Sequence, residues 1–275
     1  MIPTRAILRR TALSAVLLVA SCTRAPAPPA SVQIASRPPS QERWRLFFIG
    51  TTVKDMKVSF PFPTHSAPVR PNFTGGRCLT WLNHMPDTNN RDLFEADFKK
   101  FVCVRDAIGD LPRLRVLSGE EPTCYNGGPY TDYQRTMRDH SSVLYNHVAG
   151  ALSTQNLERL RHIPPGGSWR DIPHELLPKG MKRARKSDHT RRYGRIDPDG
   201  LSGTVLTKCD PHWGSFFHYE QDRTLTVREA ARLQSFPDRF RFLGSRVSQY
   251  VQVGNAVPPL LARVLAQHMA QTLFD

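Results

Sequence analysis

Thr226-Val227-Arg228-Glu229-Ala230-Ala231-Arg232-Leu233-Gln234-Ser235-Phe236-Pro237-Asp238 is the most informative stretch of this 275-residue chain. Thr226, followed three residues on by Glu229, has the spacing of a capping box. In that device the threonine hydroxyl accepts from the amide of the third helical residue, while the glutamate reaches back to the cap amide. The spacing predicts a helix through Ala230, Ala231, Leu233 and Gln234 that ends near Phe236-Pro237. Further on, Gln252-Val253-Gly254-Asn255-Ala256-Val257-Pro258-Pro259 reads as a turn entering a second helix, with Gly254 supplying an unusual dihedral. That helix opens at Pro258-Pro259, where a missing amide costs little. Leu261, Val264, Leu265, His268 and Met269 form its apolar stripe, which must bury against a larger body.

Working back toward the N-terminus, the signals weaken. Residues 202–208 read as a strand, with Val205 and Thr207 on one face and Thr204 and Leu206 on the other. Leu152, Leu157, Leu160 and Ile163 fit one face of a helix stopped by Pro164-Pro165-Gly166-Gly167. Residues 106–111 suggest a short helix before Pro112, and 102–104 a strand. Arg45-Leu46-Phe47-Phe48-Ile49-Gly50 is a short apolar run that reads as a buried strand.

Composition narrows the function classes. Lys plus Arg is 38 against 24 for Asp plus Glu, a formal charge of +14, which points to a polyanion: nucleic acid, or an acidic membrane surface. The 23 prolines argue against a helical bundle. Five cysteines without a Cys-x-x-Cys pair argue against a structural zinc site, so no metal is expected, and their sparse spacing suits reduced thiols in the cytoplasm. No apolar run reaches the roughly 18 residues that a bilayer span requires. Lys179, Lys182, Arg183, Arg185, Lys186, Arg191, Arg192 and Arg195 place eight positive groups in 17 residues against one acid, Asp188. Such a run is either a solvated loop or a contact to phosphates. Tyr125, Tyr130, Tyr133 and Trp169 either stack on bases or fill the core.

Several of these stretches together resemble the DNA cytosine-5 methyltransferases. Gln41-Glu42-Arg43-Trp44-Arg45, followed by an apolar strand, matches the family's Gln-x-Arg-x-Arg motif. The stretches 226–238 and 252–259 look like its last two motifs, and Tyr193-Gly194-Arg195 and Thr207-Lys208-Cys209-Asp210 resemble the approach to them. The resemblance covers about 41–275 and is least specific over 113–192. It implies an α/β fold: part of an S-adenosylmethionine-dependent, Rossmann-like methyltransferase domain plus an irregular target-recognition domain. On that basis 41–60 is a catalytic-domain strand, 61–220 the recognition region, and 221–275 the return to the catalytic domain.

The chemistry implied is specific. A cytosine is turned out of double-stranded DNA, a cysteine thiolate adds to ring carbon 6, and carbon 5 takes the methyl group of S-adenosylmethionine. A base then removes the carbon-5 proton and the cysteine leaves. By resemblance, Arg43 and Arg45 support the flipped base. Two residues apart on a strand they share a face, and guanidinium offers a planar fork to oxygen acceptors. Asn255 and Val257 match the loop over the cofactor, the basic run lies where the family recognises DNA, and Arg228, Glu229 and Arg232 are structural.

Three family features are missing from the chain, the Glu-Asn-Val motif among them. None of Cys22, Cys78, Cys103, Cys124 and Cys209 follows a proline, so there is no Pro-Cys-Gln nucleophile, and no Gly-rich cofactor loop follows a strand. The expectation is the C-terminal portion of a methyltransferase, inactive alone and requiring a complementing N-terminal methyltransferase chain. A non-catalytic DNA-binding module is the alternative. Residues 1–40 imitate a lipoprotein signal, with Arg5, Arg9 and Arg10, an apolar run over 12–20 and Cys22. This segment is read as spurious and the protein as cytoplasmic, nucleoid-associated if bacterial. An exported basic lipoprotein is the remaining reading.

Overall fold

The computed structural model describes residues 18–20, 46–48, 61, 65–66, 99–185 and 191–274. Strands are short and paired in twos. β1 (Leu18–Ala20) lies antiparallel to β2 (Leu46–Phe48), and β3 (His65–Ser66) runs parallel to β4 (Lys99–Lys100). β5 (Gly194–Arg195) pairs in parallel with β6 (Ser215–Phe217) through an irregular register. Of the strand expected over 45–50, residues 46–48 are β2, and the rest lies outside the described residues. The helices are α1 (Val104–Ile108), α2 (Asp132–Arg138), α3 (Thr154–Arg161), α4 (Val227–Leu233), α5 (Arg246–Asn255) and α6 (Pro259–Phe274).

Local chemistry explains where the helices begin. In α4 the Thr226 hydroxyl accepts from the Glu229 amide at 3.2 Å, and the Glu229 carboxylate accepts from the Thr226 amide at 2.7 Å, as the spacing predicts. The helix closes in a Schellman turn. Ser235 takes a left-handed φ of 60°, its amide bonds to Arg232 O, and the Phe236 amide bonds to Ala231 O. The Ser235 hydroxyl then accepts from the Leu260 amide at 3.2 Å, so the end of α4 satisfies one of the unpaired donors in the first turn of α6.

Four local expectations are corrected. Val104 opens α1 instead of closing a strand, because Cys103 and Asp106 form a second capping box that overrides the β-preference of valine. The helix expected over 106–111 therefore starts earlier and ends at Ile108. Residues 202–208 form no strand, although Val205 points inward and Leu206 outward as the alternation requires. Their neighbour is a helix: a Cβ on Gly254 would lie 2.6 Å from Leu206 C and Thr207 N. That contact also corrects the reading of Gly254, which sits inside α5 and is glycine for close approach, not for its dihedral.

Two apolar clusters organise the described chain. The larger joins Val104, Ile108 and Met137 to Leu233, Phe236 and Val253. Segments more than a hundred residues apart therefore share one core around α4. The smaller gathers Leu160, Trp169, Met181, Tyr193 and Phe217. Among the described residues no helix is long and apolar enough to cross a membrane.

Candidate nucleic-acid interface and its buried ionic hub

Every residue of α4 is buried, including Arg228, Glu229 and Arg232. A helix sunk on all sides must satisfy its charged groups within the protein, and here it does. Arg223 makes a bidentate pair with Glu229 at 2.8 and 2.6 Å. Arg232 grips both oxygens of Asp238 at 2.6 Å and reaches Asp110 at 3.1 Å and Ala107 O at 2.9 Å. Arg138 holds the other side of Asp110 at 2.7 Å. Arg228 donates chiefly to carbonyls: Tyr145 O at 2.9 Å, Pro237 O at 3.2 Å and Phe240 O at 2.6 Å. The Tyr133 hydroxyl donates to Arg232 O. These charge-assisted bonds fasten α1, α2 and the loops at 145 and 237–240 to one helix.

The electrostatics follow from burial and pairing. Burial opposes charge on Glu229, yet Arg223 and its hydrogen bonds hold the carboxyl well below the ordinary value. Burial likewise opposes charge on Arg232, but Asp238 and Asp110 keep it raised. Arg228 is lowered, because burial outweighs Asp238 at 3.8 Å. Burial pushes His218 down to about 4, against the pull of Glu229. The geometry agrees: His218 Nδ1 accepts from the amides of Glu220 and Gln221 at 3.0 and 3.1 Å, and a ring nitrogen that accepts carries no proton, as in neutral imidazole.

The basic run divides. Lys179 opens a single turn at Lys179–Met181, and it, Lys182, Arg183 and Arg185 are exposed. Arg191 and Arg192 are half-buried. Arg195 departs from the expectation of a DNA contact. Its guanidinium is 11% exposed and is used up on Ile163 O, His218 O and Asp222, at 3.2, 3.0 and 2.5 Å. It fastens β5 internally. Lys186, Arg43 and Arg45 lie outside the described residues. Asn255 is exposed at the C-terminal end of α5, with Val257 half-buried just beyond. The aromatic candidates also divide: Trp169 and Tyr133 are core residues, the Tyr125 hydroxyl donates to Asp238 at 2.6 Å, and Tyr130 is exposed. Sequence reasoning passed over Trp213, which is exposed, with Arg192 5.2 Å from its ring centroid. The turn signal Asp210-Pro211-His212-Trp213-Gly214 marked it.

The described cysteines are Cys103, Cys124 and Cys209. Burial pushes the Cys103 thiol up to about 11 and Cys209 up to about 12. Cys103 caps α1, and the Cys209 thiol donates to Leu225 O at 3.4 Å. Both are held neutral, the opposite of what a nucleophile needs. Cys124 is exposed; Cys22 and Cys78 lie outside the described residues.

S-adenosylmethionine carries a sulfonium cation. The C-terminal end of α5 concentrates partial negative charge, and the Asn255 amide both donates and accepts, so one edge of a site for that ligand fits here. Asn255 and Val257 are too few to enclose a nucleoside-sized group. A cavity of about 10 Å³ beside Cys209 and Tyr250 has room for one water, and a groove of about 480 Å³ runs between Arg113, Arg115 and Asp222. Neither is lined by Asn255 or Val257. Among the described residues no group of three or more His, Cys, Asp or Glu is placed to hold a metal ion.

The fold is that of a methyltransferase. The chain is similar to the crystal structure of a DNA modification methyltransferase encoded within an E. coli prophage, at a TM-score of 0.53 and 18% identity, over 96% of this chain and 62% of that one. The chain belongs to the C-5 cytosine-specific DNA methylase family, which matches residues 39–271. It is 36% identical over 252 residues to DNA (cytosine-5)-methyltransferase 2 of Arabidopsis thaliana, covering 86% of this chain and 16% of that protein. It is 39% identical over 173 residues to Type II methyltransferase M1.HphI of Haemophilus parahaemolyticus, covering 63% and 38%. The chain thus spans well under half the length of these two relatives.

Proposed function

We propose that these 275 residues supply the recognition region and one wall of the base pocket of a DNA (cytosine-5) methyltransferase. The methyl group of S-adenosylmethionine goes to carbon 5 of a cytosine turned out of duplex DNA. The attacking thiolate comes from sequence other than these 275 residues. The observation that carries this reading is the pairing of family motifs in family order with the absence of any Pro-Cys-Gln. The neutral state of Cys103 and Cys209 supports it.

Within this reading Arg43 and Arg45 hold the flipped base, and Asn255 and Val257 border the methyl donor. Lys179, Lys182, Arg183, Arg185, Lys186, Arg191 and Arg192 contact phosphates. Residues 61–220 serve recognition, while 41–60 and 221–275 belong to the catalytic domain. The exposure of Lys179, Lys182 and Arg183 beside a packed cluster supports the phosphate role, since cations that already face water can reach a polyanion without disturbing the fold beneath them.

Labelled methyl transfer tests it. The purified chain alone is expected to transfer nothing to duplex DNA. Mixed with a methyltransferase chain carrying Pro-Cys-Gln and the Gly-rich loop, it is expected to restore transfer. Transfer by the chain alone refutes the missing-thiolate reading. The same absence of a nucleophile favours a second reading, a DNA-binding module without catalysis, and this is the outcome if mixing restores nothing while DNA is still bound.

A further inference from the structure

Residues 210–214 form a tight turn whose tip is Trp213. The Trp213 amide donates to Asp210 O at 3.0 Å, and the Asp210 carboxylate accepts from the His212 amide at 2.9 Å. The turn is stitched to the neighbouring segment by Tyr193 N to Pro211 O at 2.7 Å and Gly194 N to Gly214 O at 3.3 Å. Tyr193 is buried in the smaller cluster, and its hydroxyl lies 3.3 Å from His212 Nδ1. His212 meets the indole edge to face, with ring centroids 5.1 Å apart, and Arg192 lies over the indole while approaching His212 Nε2 at 3.5 Å. The backbone and rings around Trp213 are therefore fixed from a packed base upward, yet the residue is 57% exposed.

A large apolar ring held rigid in water, with a guanidinium against it, is a contact whose ordering is already complete before any ligand arrives. The geometry points to Trp213 as a stacking contact for a nucleobase, with Arg192 holding the adjacent phosphate. The inference rests on the DNA-binding reading above and adds to it the element that does not depend on salt. Stacking on an aromatic ring is tolerant of base identity and carries no counterion release, whereas each cationic contact to phosphate does. It also explains why an aromatic is placed beside the basic run: cations alone grip backbone, and the indole supplies affinity for the base itself.

The experiment uses the full chain, a short duplex of mixed sequence and the same duplex with one unpaired base, titrated over a range of salt. Trp213→Ala is expected to weaken binding roughly tenfold or more, most on the duplex with the unpaired base, with an unchanged salt slope. Arg192→Ala is expected to weaken binding and reduce the slope by about one. Trp213→Phe keeps the fold and most of the affinity but loses the DNA-dependent quenching of tryptophan fluorescence. Unchanged affinity in Trp213→Ala overturns the inference, as does undiminished quenching in Trp213→Phe. Failure of the wild-type chain to bind either duplex at low salt overturns the DNA-binding reading itself.

Discussion

Arginine does opposite work in two regions of this molecule. Around α4, Arg223, Arg228 and Arg232 are fully buried and their donors are spent on carboxylates and carbonyls. Around 179–185, Lys179, Lys182, Arg183 and Arg185 face water. The hub is closed and serves the fold; the surface is open and is the part that can respond to a polyanion. The same residue types therefore differ in what they are free to contact by their surroundings alone, and substitutions should separate the two regions sharply.

Arg232→Ala breaks the comparison at its strongest point. The side chains of Arg232, Asp110 and Asp238 are all 0% exposed, so removing the cation leaves two carboxylates that water does not reach. Removing one partner of a buried pair costs about 3–5 kcal/mol. Denaturant unfolding is expected to show a loss in that range. A loss below about 1 kcal/mol would mean that the hub is wet or loosely paired.

A titration sharpens the same contrast. His218 is buried, with a folded value near 4 against 6.5 for the free side chain. Between those values the unfolded chain binds a proton that the folded chain refuses, so stability falls as pH drops from about 6.5 to about 4. The loss at the acid end is about 3 kcal/mol for this group. Glu229 adds to the fall at the acid end: its depressed value means that its contribution is full well above 4.5 and is lost as pH falls through and below that value, where the unfolded carboxyl takes a proton and the folded one does not. Thermal or urea unfolding as a function of pH should show the slope, and His218→Asn, which keeps an acceptor for the Glu220 and Gln221 amides, should reduce it; His147, also buried and lowered by burial, contributes in the same direction and remains.

These two tests also mark how much was readable from the chain. The capping box at Thr226 and Glu229 was legible because all its partners lie within four residues. The opening of α6 at Pro259 was legible for the same reason. α5 was not: Ser245 caps it locally, but its interior glycine resembles a turn until the Leu206–Thr207 backbone is seen against it. The hub was half legible. Arg228 and Arg232 stood out as structural, while Asp110, 122 residues from Arg232, carries no mark of its partner. The basic run was legible from composition. The inward turn of Arg195 and the outward turn of Trp213 were not, because both depend on which neighbour the fold brings alongside.

The smallest effect on stability belongs to the surface, where the largest effect on binding is expected to lie. Lys182 and Arg183 are exposed, so Lys182→Ala and Arg183→Ala should each change unfolding free energy by less than about 0.5 kcal/mol. If they contact phosphates, each should also lower the slope of log affinity for duplex DNA against log salt by about one, and weaken binding evenly across sequences. Arg232→Ala should behave inversely, with lowered stability and an unchanged slope at temperatures where the variant stays folded. A surface substitution that leaves the slope intact would return that cation to the solvated-loop reading. A hub substitution that alters the slope would show that the buried arginines shape the DNA surface as well as the core.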